Sequence, residues 1–164
     1  MQQAGSALIL PSRRGALLTG AVALARAAIG RLDSLAPWVD LGVRLFVASV
    51  FLKSGLIKIS SWDSTLALFD NEYAVPLLPS EVAAVLGTGV ELLFPVLLVL
   101  GLGTRFAAVV LFIFNIIAVV SYPDLSAVGL KDHQTWALLL LIPLLHGPGR
   151  VSIDQLIRRR FFAD

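Results

Sequence analysis

Four apolar runs set the limits on what this chain can become. They cover about 39–59, 82–100, 105–122 and 134–146. A helix needs about 20 apolar residues to cross the hydrocarbon of a bilayer, with roughly 17–25 observed. The first three runs meet that length. The fourth meets it when residues 127–135 contribute, which predicts spans of about 39–59, 82–100, 105–122 and 128–146 and puts Lys131, Asp132 and His133 at the mouth of the last. Composition supports this reading. Apolar residues make up 57% and charged residues 15% of the chain, against about 45–50% and ~25% in soluble domains. Mean hydropathy is +0.87. There is too little polar side chain to coat a soluble globule, so the expected partner of the surface is a lipid bilayer. The predicted fold class is all-α, an integral membrane four-helix bundle.

The connections refine this picture. Gly101-Leu102-Gly103-Thr104 separates the second and third runs by so little that their helices must be antiparallel neighbours. The 60–81 link is longer and broken by Asp63, Asp70, Asn71, Glu72, Pro76 and Pro79. It predicts a short helix around 63–69 and an extended 73–79 segment, with Phe69, Tyr73, Leu77 and Leu78 at the interface or capping the bundle. Residues 12–18, Ser-Arg-Arg-Gly-Ala-Leu-Leu, look like a twin-arginine export signal. Arg26 interrupts the apolar stretch that follows, so the reading adopted is an amphipathic helix on the cytoplasmic face, anchored by Arg26. The expected domains are an arm over 1–37 and a transmembrane domain over 38–164. Basic residues sit before the first run (Arg13, Arg14, Arg26, Arg31), after the second turn (Arg105) and after the fourth run (Arg150, Arg158, Arg159, Arg160). Acidic ones fill the other two loops. Lys and Arg mark cytoplasmic loops, which predicts both termini inside.

Several chemistries are closed to this chain. With no cysteine, it supplies no thiolate zinc site, Cys-ligated cluster, disulfide exchange or thiol nucleophile. No phosphate-cradling glycine loop, nucleophile elbow or paired metal motif is present. The pI near 9.4 comes mostly from arginines near the chain ends, which anionic lipid and topology explain better than nucleic acid.

Glu91 is the main anomaly, a carboxylate near the middle of an otherwise uncharged 82–103 stretch. An isolated ionised group in hydrocarbon costs several kcal/mol or more. Three readings are open: a structural ion pair with Arg44, which lies little more than a turn away in depth; a proton-accepting or ligand-binding carboxylate; and a protonated acid bonded to a helix carbonyl. Pro95 lies four residues on and removes the normal partner of the residue-91 carbonyl. In the first run Arg44 and Gly55 share a face with Val47, Ala48, Phe51 and Lys58, while Lys53 points the opposite way and is expected to snorkel to headgroups. Asn115 is a further polar group at membrane depth, a candidate ligand contact but more often interhelical glue. His133 and His146 bracket one helix, about 20 Å apart, so they cannot clamp a haem between them. His133, beside Asp132, is a candidate to relay protons or bind a quinone carbonyl, or it is an interfacial histidine without special role.

Arg44-Leu45-Phe46, 51–58 (Phe-Leu-Lys-Ser-Gly-Leu-Ile-Lys), Tyr73-Ala74-Val75-Pro76, the Glu91 helix, 101–108 (Gly-Leu-Gly-Thr-Arg-Phe-Ala-Ala) and 146–154 (His-Gly-Pro-Gly-Arg-Val-Ser-Ile-Asp) together resemble the DoxX family, over about 39 to 154. The resemblance implies a four-helix, multi-pass protein of the bacterial inner membrane. Members look like accessory subunits of quinone-linked redox or oxidative-stress systems. By position it marks Arg44, Gly55, Lys58, Glu91, Arg105, His133 and the 149–154 tail, with Gly149, Arg150 and Asp154. Pro95 and Gly147 are read as structural. The expected function is a redox accessory subunit, more accessory than enzymatic, with no covalently bound cofactor, a quinone as candidate ligand, and a protein partner or homo-oligomer. In that reading Arg44 and Lys58 orient a headgroup and Glu91 handles a proton. The alternatives are a structural membrane anchor and a small-solute or proton-coupled carrier; the lack of inverted repeats counts against the carrier.

Overall fold

A computed structural model describes the backbone of residues 13–161 and side chains from Val22 onward. Residues 1–12 and 162–164 and the side chains of the 12–18 twin-arginine segment lie outside the described residues, so the processing expectation lies there too. Among the described residues there are six helices: α1 Arg13–Ser60, α2 Trp62–Asn71, α3 Ser80–Leu100, α4 Thr104–Ser121, α5 Ala127–His146 and α6 Ile153–Phe161. The chain divides into two units, Met1–Ala36 and Pro37–Asp164. In the first, every described side chain from Val22 to Ala36 is exposed.

The helices of the second unit turn the usual pattern of a soluble protein outward. Along α3 the buried residues are Ala83, Ala84, Gly87, Thr88, Glu91, Pro95 and Leu98, a stripe at three- and four-residue spacing. The opposite face carries exposed Val82, Val85, Leu86, Leu93 and Val96. α4 repeats the arrangement with Ala107, Ala108, Leu111 and Asn115 inside and Phe106, Ile113 and Val120 exposed. The buried stripes are small and partly polar and the outer faces are large and apolar, which suits lipid outside and close helix packing inside. Among the described residues three helices are long and apolar enough to cross a membrane: Val22–Ser60, Ser80–Leu100 and Thr104–Ser121. α5 has the length, at 20 residues, but its first half carries Lys131, Asp132, His133 and Gln134. One core draws on four helices, with Val47, Ala48 and Phe51 from α1, Leu98 from α3, Ala107, Ala108 and Leu111 from α4 and Leu140 from α5.

The α3–α4 connection follows the glycines. Gly101 ends α3 in the left-handed region at φ 67°, and Gly103 precedes α4 at φ 56°. The amide of Leu102 returns to the Leu97 carbonyl at 3.0 Å. A β-carbon on Gly101 would collide with the Arg44 guanidinium and Ser152. α4 has no capping side chain of its own, so the chain supplies one from far away. The Asp154 carboxylate accepts from the amides of Gly103 (2.9 Å) and Thr104 (3.1 Å) and from the Thr104 hydroxyl (3.3 Å).

The second connection is a plug. α2 buries Phe69 against Ala83 and Ala84 of α3, and Thr65 Oγ1 donates to the Lys58 carbonyl at 2.9 Å. Beyond it, the Ala74 amide donates to the Ser121 carbonyl at 2.8 Å. Tyr73 stacks edge-on between Phe69 and Tyr122, with centroids 4.9 and 5.2 Å away. Of the residues expected at the interface or capping the bundle, Phe69 and Tyr73 pack into it, while Leu77 and Leu78 stay exposed.

Candidate functional site

Glu91 is 5% exposed, and its partner is Lys58. The ammonium lies 2.7 Å from Oε2 and 2.9 Å from Oε1, and it donates to Ser54 Oγ at 2.9 Å. Three N–H groups meet three acceptors, so the cation is fully satisfied. The pair forms because α1 and α3 cross closely at Gly55, where an added β-carbon would stand 3.0 Å from the Glu91 β-carbon and 2.9 Å from a Leu92 methyl. Arg44, the expected partner, is elsewhere. It is 1% exposed and donates through Nη2 to the carbonyl of Val151 in the tail, while its Nε and Nη1 have no partner among the described residues. The reason is register. Lys58 stands two residues before the end of α1, whereas Glu91 lies about 17 Å into α3. The helices meet there only because the first turns of α3 rise past the end of α1, and α2 fills the step.

The ion pair forms one wall of a cavity of about 250 Å³ lined also by Phe69, Tyr73, Gly87, Phe114 and Ser121. Leu78, Leu86 and Ile117 line it too and are themselves exposed, so an apolar molecule can enter from the side. Ser121 is 2% exposed, and its hydroxyl has no partner among the described residues. Tyr73 lies in the link between α2 and α3. Burial, followed by the negative charge of Glu91 and the nearby Tyr122 and Glu72, raises its phenol above the ordinary value. It stays a neutral donor at physiological pH. Tyr122 is raised chiefly by its hydrogen bond to Glu72, at 3.2 Å.

The other residues singled out from the sequence fall in two further places. Asn115 and His133 bond to each other: Asn115 Nδ2 donates to the His133 carbonyl at 2.9 Å, and Oδ1 meets His133 Nδ1 at 2.7 Å. With Nδ2 spent as donor, Oδ1 accepts, which fixes the proton of a neutral His133 on Nδ1. This pair ties α4 to α5 and is not among the residues lining the cavity. Arg105, Gly147, Gly149, Arg150 and Asp154 gather at the opposite end of the helices, where Arg105 donates to the Leu145 carbonyl at 3.2 Å and His146 faces Asp40 at 3.3 Å. Lys53 is exposed on α1, as its helix face requires. Sequence reasoning missed Gly87, Phe114 and Ser121, because nothing local marks a residue as facing a void. Tyr73 carried a signal, a tyrosine three residues before Pro76 in a link broken by acids and prolines.

An all-helical membrane protein with an ion pair buried beside a lipid-facing cavity is the class these features define. A family model described as DoxX matches residues 39–124. The chain is also similar to an uncharacterized protein of Haemophilus influenzae (strain ATCC 51907 / DSM 11121 / KW20 / Rd), 32% identical over an alignment of 124 residues that covers 71% of this chain and 82% of that protein. No solved structure matches it. The chain belongs to the DoxX family.

Proposed function

We propose that this protein is an accessory subunit of a bacterial redox or oxidative-stress system that seats a quinone in the cavity beside Lys58 and Glu91. One observation carries the reading: an apolar cavity open toward lipid holds a satisfied carboxylate–ammonium pair together with a spare hydroxyl at Ser121. Its volume of about 250 Å³ lies just below the ~300–1,000 Å³ of most ligand sites. That suits a single ring and is too small for a haem. Ser121 and the neutral Tyr73 are donors for a ring carbonyl, and Glu91 holds a proton position beside it. When bound, the quinone would supply two-electron redox chemistry, with the electrons coming from a partner protein. The contribution of the chain is to bind, orient and manage the proton. Arg44 has no part in this site.

The membrane placement supports the same reading. We take α5 as a fourth span, because it packs on α4 along its length and shares the core through Leu140. Arg105, Arg150 and Arg158–160 then share one end, and Asp63, Asp70, Glu72, Glu81, Asp124 and Asp132 the other. The basic end is cytoplasmic by the distribution of arginines, with both termini inside and the quinone cavity toward the outer face of the inner membrane.

The test is a titration of the detergent-purified protein with a short-tailed ubiquinone analogue, read by quenching of tryptophan fluorescence; Trp62 packs on the α2–α3 cluster beside the cavity. Wild type should quench saturably. Gly87→Leu, which fills the cavity, should abolish the saturable part, and Glu91→Gln should weaken it while the protein stays folded. Equal, unsaturable quenching in all three would overturn the site and leave a structural anchor.

A further inference from the structure

We propose that the basic end of the protein carries a seat for the phosphodiester headgroup of an anionic phospholipid, built from Arg105 and Arg158. This site is at the other end of the helices from the quinone cavity and does not depend on it. An open cavity of about 310 Å³ lies there, lined by Arg105, Phe106, His146, Asp154 and Arg158.

Its electrostatics favour an anion. Both oxygens of Asp154 are taken by the Gly103 and Thr104 amides, and Asp40 is engaged by His146. The acids at this end therefore have internal partners. Neither Arg105 nor Arg158 forms an ion pair among the described residues, although Arg158 stands one turn from Asp154. Arg105 is also aimed. Its hydrogen bond to Leu145 fixes one edge, and its guanidinium lies across Gly147, where an added β-carbon would stand 3.2 Å from Nε. Gly147 has φ 85°, so a side chain there would be strained as well as in the way. Arg105 is exposed, and a guanidinium offers further N–H donors in the fork that suits phosphate oxygens. Two guanidiniums and one internally bonded carboxylate leave a single positive charge, the match for a phosphodiester monoanion.

The setting argues for a lipid over a soluble anion. Phe106 on α4 is 64% exposed and Leu145 on α5 is 69% exposed, so apolar surface runs up to the arginines. α6 continues the arrangement beside them with Leu156, Ile157 and Phe161 exposed among Arg158, Arg159 and Arg160. That is the composition of a helix lying at the headgroup level.

The experiment takes the full chain in detergent, stripped of lipid, and titrates it separately with short-chain phosphatidylglycerol, short-chain phosphatidylcholine and inorganic phosphate. Binding is counted by native mass spectrometry and melting is followed in parallel. Phosphatidylglycerol should bind in a one-to-one adduct and raise the melting temperature, and the other two should not. Arg105→Gln and Arg158→Gln should each weaken phosphatidylglycerol about fivefold or more, the effect of one basic residue at a membrane surface. Arg159→Gln, outside the cavity, should change it less than twofold. Arg158 has an exposed side chain with no ion pair among the described residues, so its variant keeps the test valid if Arg105→Gln unfolds. Equal binding of phosphatidylcholine, equal loss in Arg159→Gln, or retention in Arg158→Gln would overturn the seat. An equal effect of inorganic phosphate would make it a soluble-anion site and refute the lipid assignment.

Discussion

The Lys58–Glu91 pair lends itself to a double-mutant cycle with a definite expected size. The side chains are 12% and 7% exposed, and Lys58 donates three hydrogen bonds, two of them to Glu91. Glu91→Leu strands the ammonium with Ser54 alone, and Lys58→Met strands the carboxylate. Removing one partner of a buried pair costs about 3–5 kcal/mol, whereas replacing both by apolar residues of similar volume is often neutral. The double variant Lys58→Met/Glu91→Leu should therefore recover most of what either single change loses. With singles of about 3–5 kcal/mol each and a double near neutral, the coupling energy should be about 6–10 kcal/mol, well above the ~0.6–2 kcal/mol of neutral interhelical hydrogen bonds in membrane proteins. Reversible unfolding in mixed detergent micelles gives all four stabilities. A coupling below about 1 kcal/mol, or a double variant no better than the worse single, would refute the claim that this pair joins α1 to α3.

Two further outcomes follow from the packing. Gly55→Ala forces α1 away from Glu91 and Leu92, so it should lose about 1–2 kcal/mol despite the better helix propensity of alanine. Gly89→Ala, which meets open space on α3, should be neutral or gain up to ~1 kcal/mol; the same unfolding assay checks both. Tyr73 and Tyr122 are the two tyrosines of the chain, so Tyr122→Phe isolates Tyr73, whose phenolate absorbance should develop above pH 10 in the folded protein and shift back on unfolding. Because the folded phenol keeps its proton where the unfolded one loses it, Tyr73 should make stability fall as pH rises above about 10, a slope that Tyr73→Phe should remove.

Part of the site was legible before the fold was known. A charged residue kept inside a lipid-length run must have a partner, a proton or a cavity, so Glu91 was marked by its surroundings alone. Gly55 and Lys58 shared the α1 face that turned out to meet it. The partner was misjudged because counting residues from helix ends treats every helix as filling the same slab. Arg44 and Glu91 matched in that count, but α2 occupies a step at the end of α1 and brings Lys58 level with Glu91. The arginine instead holds the Val151 segment of the tail, 107 residues away.

The sequence by itself determined the material: helices of bilayer length, a surface that lipid must cover, a chain without thiol chemistry, and a glutamate that needs an explanation. These are local properties, set by composition, periodicity and turn residues. Only the tertiary structure decided which cation neutralises the glutamate, that a cavity opens beside it, and that Asp154 reaches back to cap α4 and leaves Arg105 and Arg158 without an ion pair among the described residues. Each of those depends on the axial offset between helices and on which faces meet. That offset is fixed by close contacts such as Gly55 against Glu91, between residues far apart in the chain.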